Sequence, residues 1–121
     1  VLFLSLALCV SSAFTDPVKV YLLAGQSNMV GPRNNEQLEE LAPELLKPRD
    51  DVWCVYAQTP PGPLAPGFGF RSGNFGPELK LGHVLGDSVD HEIILFKSAI
   101  RGKTLKRDFR PPHTDDRTAW C

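Results

Sequence analysis

Val18-Lys19-Val20-Tyr21-Leu22-Leu23-Ala24 is an almost unbroken apolar run rich in β-formers, closed by Gly25 and continued by Gln26-Ser27-Asn28-Met29. It reads as a strand buried on both faces, the kind found inside parallel sheets. Two further runs of this character follow, Asp51-Val52-Trp53-Cys54-Val55-Tyr56-Ala57 and Glu92-Ile93-Ile94-Leu95-Phe96-Lys97. Between the first two, apolar residues recur within Glu36–Lys47 at Leu38, Leu41, Ala42, Leu45 and Leu46. This spacing predicts a helix, which Pro43 either interrupts or places late. Ahead of the third run, Pro77 suits the first turn of a helix carrying Leu79, Leu81, Gly82, Val84 and Leu85, with Gly86 and Asp87 at its end. Thr59–Gly76 is rich in Pro and Gly, shows no periodicity and reads as a long loop. The order strand, helix, strand, loop, helix, strand predicts an α/β fold, three-layer α/β/α with a mostly parallel sheet.

The chain has 121 residues, enough for one domain at most. It is 42% hydrophobic and 22% charged, with 13 basic against 14 acidic side chains. That balance excludes a collagen-like, coiled-coil or wholly disordered chain. It also removes any whole-chain case for nucleic-acid binding, which shows as a strongly basic balance. Val1–Val10 is apolar except for Ser5, and Ser11-Ser12-Ala13 follows with small residues in the positions that precede a cleavage point. The stretch 1–13 therefore reads as a secretory signal peptide cut after Ala13, the alternative being a buried N-terminal strand. A mostly apolar run of ten residues is too short to span a bilayer, which takes about 20, and no later segment is long and apolar enough to do so. The expected compartment is extracytoplasmic and oxidising. Cys54 and Cys121 could pair there with each other or with other partners. A start on Val1 and an end on Trp120-Cys121 after a loop-like stretch lead to the expectation that 14–121 is part of a longer domain.

Ser27 is the sharpest chemical feature. Open parallel sheets carry their sites at the carboxyl ends of strands, and Gly25 permits the sharp turn that exposes a following hydroxyl. Helical residues after Ser27 would add the positive end of a helix dipole toward a developing oxyanion. On these grounds the position suits a nucleophile, and it equally suits a plain tight turn.

Tyr21-Leu22-Leu23-Ala24-Gly25-Gln26-Ser27-Asn28-Met29 resembles the first block of the SGNH-type carbohydrate acetylesterases, a family that includes sialic-acid-specific O-acetylesterases and acetylxylan esterases. Phe75-Gly76-Pro77-Glu78, after Arg71-Ser72-Gly73, is similar to its Arg…Gly-Pro-Glu block. Lys97-Ser98-Ala99-Ile100-Arg101-Gly102-Lys103-Thr104-Leu105 is similar to its Lys-x-Ala-x-Gly-Gly block. The resemblance runs over Val18–Pro112 and implies a serine esterase that needs no metal and no organic cofactor. Ser27 would attack the acetyl carbonyl, and its N–H would donate to the oxyanion. Gly102, at the second glycine of the family's pair, would be another oxyanion donor. Arg101 replaces the first glycine of that pair, which leaves open which position donates and places an arginine at the pocket, to occlude it or to touch substrate. Gln26 and Asn28 would brace the turn.

The general base and its carboxylate come, in that family, from a later Asp-x-x-His motif, and a Gln-Gly-Glu block adds an oxyanion group. Neither stands in this sequence. His83 falls mid-helix, His91 precedes a strand at its amino end, and His113 lies in a loop with no Asp three residues before it. Lys97–Arg117 holds seven of the 13 basic residues and reads as a solvated loop partly offset by Asp108, Asp115 and Asp116, or as a surface for an acidic sugar or phosphate. The implied substrate is an acetylated carbohydrate. Alternatives are an SGNH-type esterase of lipid or aryl esters, and a non-catalytic sugar-binding module on the same fold. Oligomeric state is not legible.

Overall fold

The computed structural model describes residues 17–104 and 107–109. The first run forms β1 (Lys19–Gly25), which passes through Gln26 into a single helical turn, α1 (Ser27–Val30). A short strand β2 (Arg33–Asn34) leads to α2 (Glu36–Leu41) and a 3-10 turn, Pro43–Leu46. Pro43 thus divides the expected helix in two, because it cannot donate the hydrogen bond that would continue α2. Then come β3 (Arg49–Tyr56), β4 (Thr59–Leu64), β5 (Asn74–Phe75), α3 (Pro77–Ser88) and β6 (Ile93–Ala99). Among the described residues no helix is long and apolar enough to cross a membrane. The segment 1–13, His113, Cys121 and the Arg110–Arg117 stretch lie outside the described residues.

Four strands form one sheet in the order β1-β6-β3-β4. β6 runs parallel to both of its neighbours, and β4 is antiparallel to β3. The fold is α/β with a mostly parallel sheet and flanking helices, an arrangement compatible with three α/β/α layers. β2 and β5 pair separately as a two-stranded antiparallel ribbon.

Two expectations need correction. The Pro-rich start of the long loop is the edge strand β4. Pro is tolerated there because an edge strand has one side that donates no ladder hydrogen bond, and the pairing is irregular between Cys54 and Tyr56. β1 is not buried on both faces: it is the other edge of the sheet, and only Leu23 of its residues is buried. The strands alternate instead. Leu23, Val52, Cys54, Tyr56, Ile93 and Leu95 point into one core with Leu38, Leu45 and Leu79 of the helical segments and Phe68 of the loop. Val20, Leu22, Trp53 and Phe96 point to the other face and are exposed.

Candidate active site

Register places the site. Gly25 at the end of β1 is paired with Ala99 at the end of β6, and the Ile100 N–H donates to the Gly25 carbonyl at 3.3 Å. The chain therefore leaves both strands side by side at the same sheet edge. Gln26-Ser27 follows one exit and Arg101-Gly102 the other, so the two expected oxyanion donors, Ser27 and Gly102, share the carboxyl-end edge. Gly102 has φ +71°, a left-handed conformation open to glycine and strained for other residues.

Ser27 is half-buried. Its hydroxyl donates to Gln26 Oε1 at 2.7 Å, and its backbone N–H donates to the same oxygen at 2.8 Å. Gln26 Oε1 thus takes both Ser27 donors, including the N–H that an oxyanion would need. Asn28 is exposed and lines a cleft of about 550 Å³ with Gly31, Arg33, Phe75 and Lys80. The helix expected after Ser27 is only four residues long, too short for the dipole of a full helix, which sums over aligned peptides.

The turn is held from behind. Val30 is buried, and the Gly31 carbonyl accepts from the Phe70 N–H at 3.0 Å. Gly31, at φ +87°, lies so close to Gly76 that a Cβ would overlap the Gly76 backbone. Lys97 Nζ donates to the Val30 carbonyl at 2.9 Å, to the Phe68 carbonyl at 2.7 Å and to Glu78 Oε2 at 2.7 Å. Glu78 Oε1 accepts the Gly76 N–H at 2.8 Å. Both charged groups are fully enclosed, with the ammonium 4.6 Å from the centre of the Tyr56 ring. Sequence reasoning passed over this pair as motif letters. One signal was available: Lys97 interrupts an apolar strand at an inward position, two residues from Leu95 and two from Ala99.

Arg101 follows the carboxyl end of β6. Its guanidinium lies on the Phe70 ring, 4.4 Å from the centroid, and Arg71 approaches the same ring at 5.3 Å. Asp108, expected as a solvated counter-charge, is buried. Its Oδ2 accepts from the Thr104 N–H at 2.7 Å and its Oδ1 from Lys103 Nζ at 3.2 Å. The bond from the Thr104 backbone, helped by Lys103 and Arg107, holds the carboxyl down to about 2. This closes the turn directly after Gly102.

The histidines among the described residues stand at the other end of the sheet. His91 precedes the amino end of β6, and the His83 carbonyl accepts from Arg49 at the start of β3. No described histidine meets Ser27, and no described group of His, Cys, Asp and Glu residues could hold a metal ion. Cys54 is enclosed in the core.

No protein-family model and no curated protein matches the chain. Among solved structures, a protein from Arabidopsis thaliana is similar with a TM-score of 0.59 at 16% identity, over 79% of this chain. At that identity the likeness is one of fold. The chain spans 45% of that protein's length.

Proposed function

We propose that this chain carries the nucleophile of a secreted, serine-dependent carbohydrate O-acetylesterase. The observation that supports this best is the shared exit of β1 and β6, after which Ser27 and Gly102 follow from the same sheet edge. Ser27 Oγ attacks the acetyl carbonyl while its proton passes to a base that is not among the described residues. The Gln26 amide oxygen is too weakly basic to take that proton, so its bond to the hydroxyl orients and does not activate. The Ser27 N–H turns from Gln26 to the oxyanion, and Gly102 supplies a second donor. Collapse breaks the ester C–O bond, releases the sugar hydroxyl and leaves acetyl on Ser27, which water then removes.

In the full-length protein, p-nitrophenyl acetate is hydrolysed, and Ser27→Ala removes that activity by at least about 10³-fold. Unchanged turnover in the variant refutes the nucleophile. One observation favours a second reading, a non-catalytic sugar-binding module: the hydroxyl's partner is an amide rather than a base. Binding of acetylated sugar with no turnover in the full-length protein would select it, and preference for long acyl or aryl esters would select a lipid or aryl esterase. The 121-residue chain alone is expected to be inactive, and Ser27-dependent turnover from it would overturn that.

A further inference from the structure

We infer that Lys97 is a positioning residue for the serine turn, acting through the carbonyl of Val30, with Glu78 as its fixed counter-charge. The catalytic part of this inference rests on the esterase reading, whereas the anchoring part does not. α1 is one turn of four residues, and an isolated helical turn has no stability of its own because nucleation costs more than one hydrogen bond returns. Its internal bonds are Val30 N–H to Gln26 O at 2.9 Å and Gly31 N–H to Ser27 O at 3.3 Å. Something outside the turn must keep it wound.

The ammonium of Lys97 is placed to do that. Its three donors go to three different segments: the end of α1 at Val30, the loop at Phe68, and the first turn of α3 at Glu78. The second oxygen of Glu78 reaches back to the Gly76 N–H, and Gly76 is the residue against which Gly31 packs. One buried charge pair thus ties β6, α3, the loop and the serine turn together. Since Lys97 lies on β6 two residues before Ala99, the anchor of Ser27 and the strand that delivers Gly102 are the same element. Displacing either donor from the reacting carbonyl by a fraction of an ångström is costly to rate, and a misplacement of about 1 Å from a remote change can cost about 10²-fold.

A purely supportive role would leave a different trace. A buried pair is often replaceable by neutral groups without loss of stability, whereas removal of one partner strands a charge. The test therefore uses Lys97→Met together with Glu78→Gln in the full-length protein, at a temperature where circular dichroism shows the variant folded. Positioning predicts that kcat on p-nitrophenyl acetate falls about 10²-fold while KM stays within about threefold. Amide exchange over Ser27–Gly31 should accelerate at least about tenfold, with that of α3 and β6 little changed. A folded double variant with unchanged kcat and unchanged exchange at Ser27–Gly31 overturns the proposal, as does acceleration spread evenly over the chain. A measurement on the unmodified protein guards against a variant that does not fold. Under low denaturant the Val30 and Gly31 amides should exchange only together with those of β6, and fast local exchange of this turn overturns the anchor. If the unmodified protein shows no Ser27-dependent turnover, the esterase reading and the catalytic part fall together, and the exchange pattern still decides the anchoring.

Discussion

At the scale of single residues, the site depends on which atom holds the Ser27 N–H. In the structure that atom is Gln26 Oε1, which also takes the hydroxyl, so on the proposed reading one side chain would have to yield both bonds for a carbonyl to enter. Gly102 is the other residue on which the oxyanion would depend. Its φ of +71° costs a non-glycine residue roughly 1–2 kcal/mol, and relief of that strain would rotate the N–H away. Gly102→Val is therefore expected to lower kcat of the full-length protein by about 10²-fold, the size of losing one oxyanion donor. Steady-state kinetics on p-nitrophenyl acetate checks this, and a wild-type kcat would remove Gly102 from the site. Cys54 gives a second prediction at this scale. Burial, with the nearby Glu78 adding to it, pushes its thiol up to about 12. Reactivity follows the thiolate, so iodoacetamide at about pH 8 should leave Cys54 unmodified in the folded protein and alkylate it only on unfolding, as read by intact mass.

Among the elements, the end of the sheet remote from Ser27 is closed by charge. Arg49 at the start of β3 donates to both Asp51 oxygens, at 2.9 and 2.6 Å, and to Asp87 near the end of α3. It also reaches the His83 carbonyl at 3.3 Å, so one guanidinium joins β3 to the last turns of α3. Asp51 is held below the usual carboxylate range, chiefly by its hydrogen bond from Arg49. His83 sits beside this cluster, and burial lowers its pKa, with the Arg49 charge adding to the effect. Lys80 lowers it further, while Asp87 and Glu44 act in the opposite sense. The unfolded chain then binds a proton at His83 more readily than the folded one. The neutral imidazole's contribution to stability is complete above the unfolded value of about 6.5 and is lost as pH falls below it toward the depressed folded value. The melting midpoint should therefore drop between about pH 7 and about pH 5, and drop less in His83→Gln. Equal slopes in the two proteins would show that His83 is not the group responsible.

For the whole molecule, what was legible follows from which forces act locally. The apolar runs around Leu23, Cys54 and Leu95 mark β1, β3 and β6, and Pro77 marks the start of α3. The exit geometry of Ser27 was legible too, because a glycine at a strand end has a local meaning. β4 was not, since Thr59-Pro60-Pro61-Gly62-Pro63-Leu64 has turn composition and becomes a strand only because β3 offers it an edge. Nor was the Lys97–Glu78 pair, whose members are 19 residues apart and meet only when α3 packs on β6. A run of apolar residues also cannot tell one buried face from two. Val20 and Leu22 read like core residues, yet they are 60% and 69% exposed, with Phe96 at 45% and Trp53 at 43% on the same sheet face. Parallel sheets are normally covered on both sides, and an apolar surface spread over three adjoining strands is larger than the scattered single residues of an ordinary surface. The 121-residue chain in isolation should therefore bind an apolar anilinonaphthalene dye in its folded state. Leu22→Thr with Phe96→Thr should reduce that binding by about half or more, and the melting midpoint should change little, because neither side chain touches the core on the helical side. Trp53 supplies a second readout on the same face, since acrylamide should quench its fluorescence freely. A folded chain with no dye binding and a shielded Trp53 would mean that this face is covered, and that the alternation along β1, β6 and β3 separates two cores rather than a core from solvent.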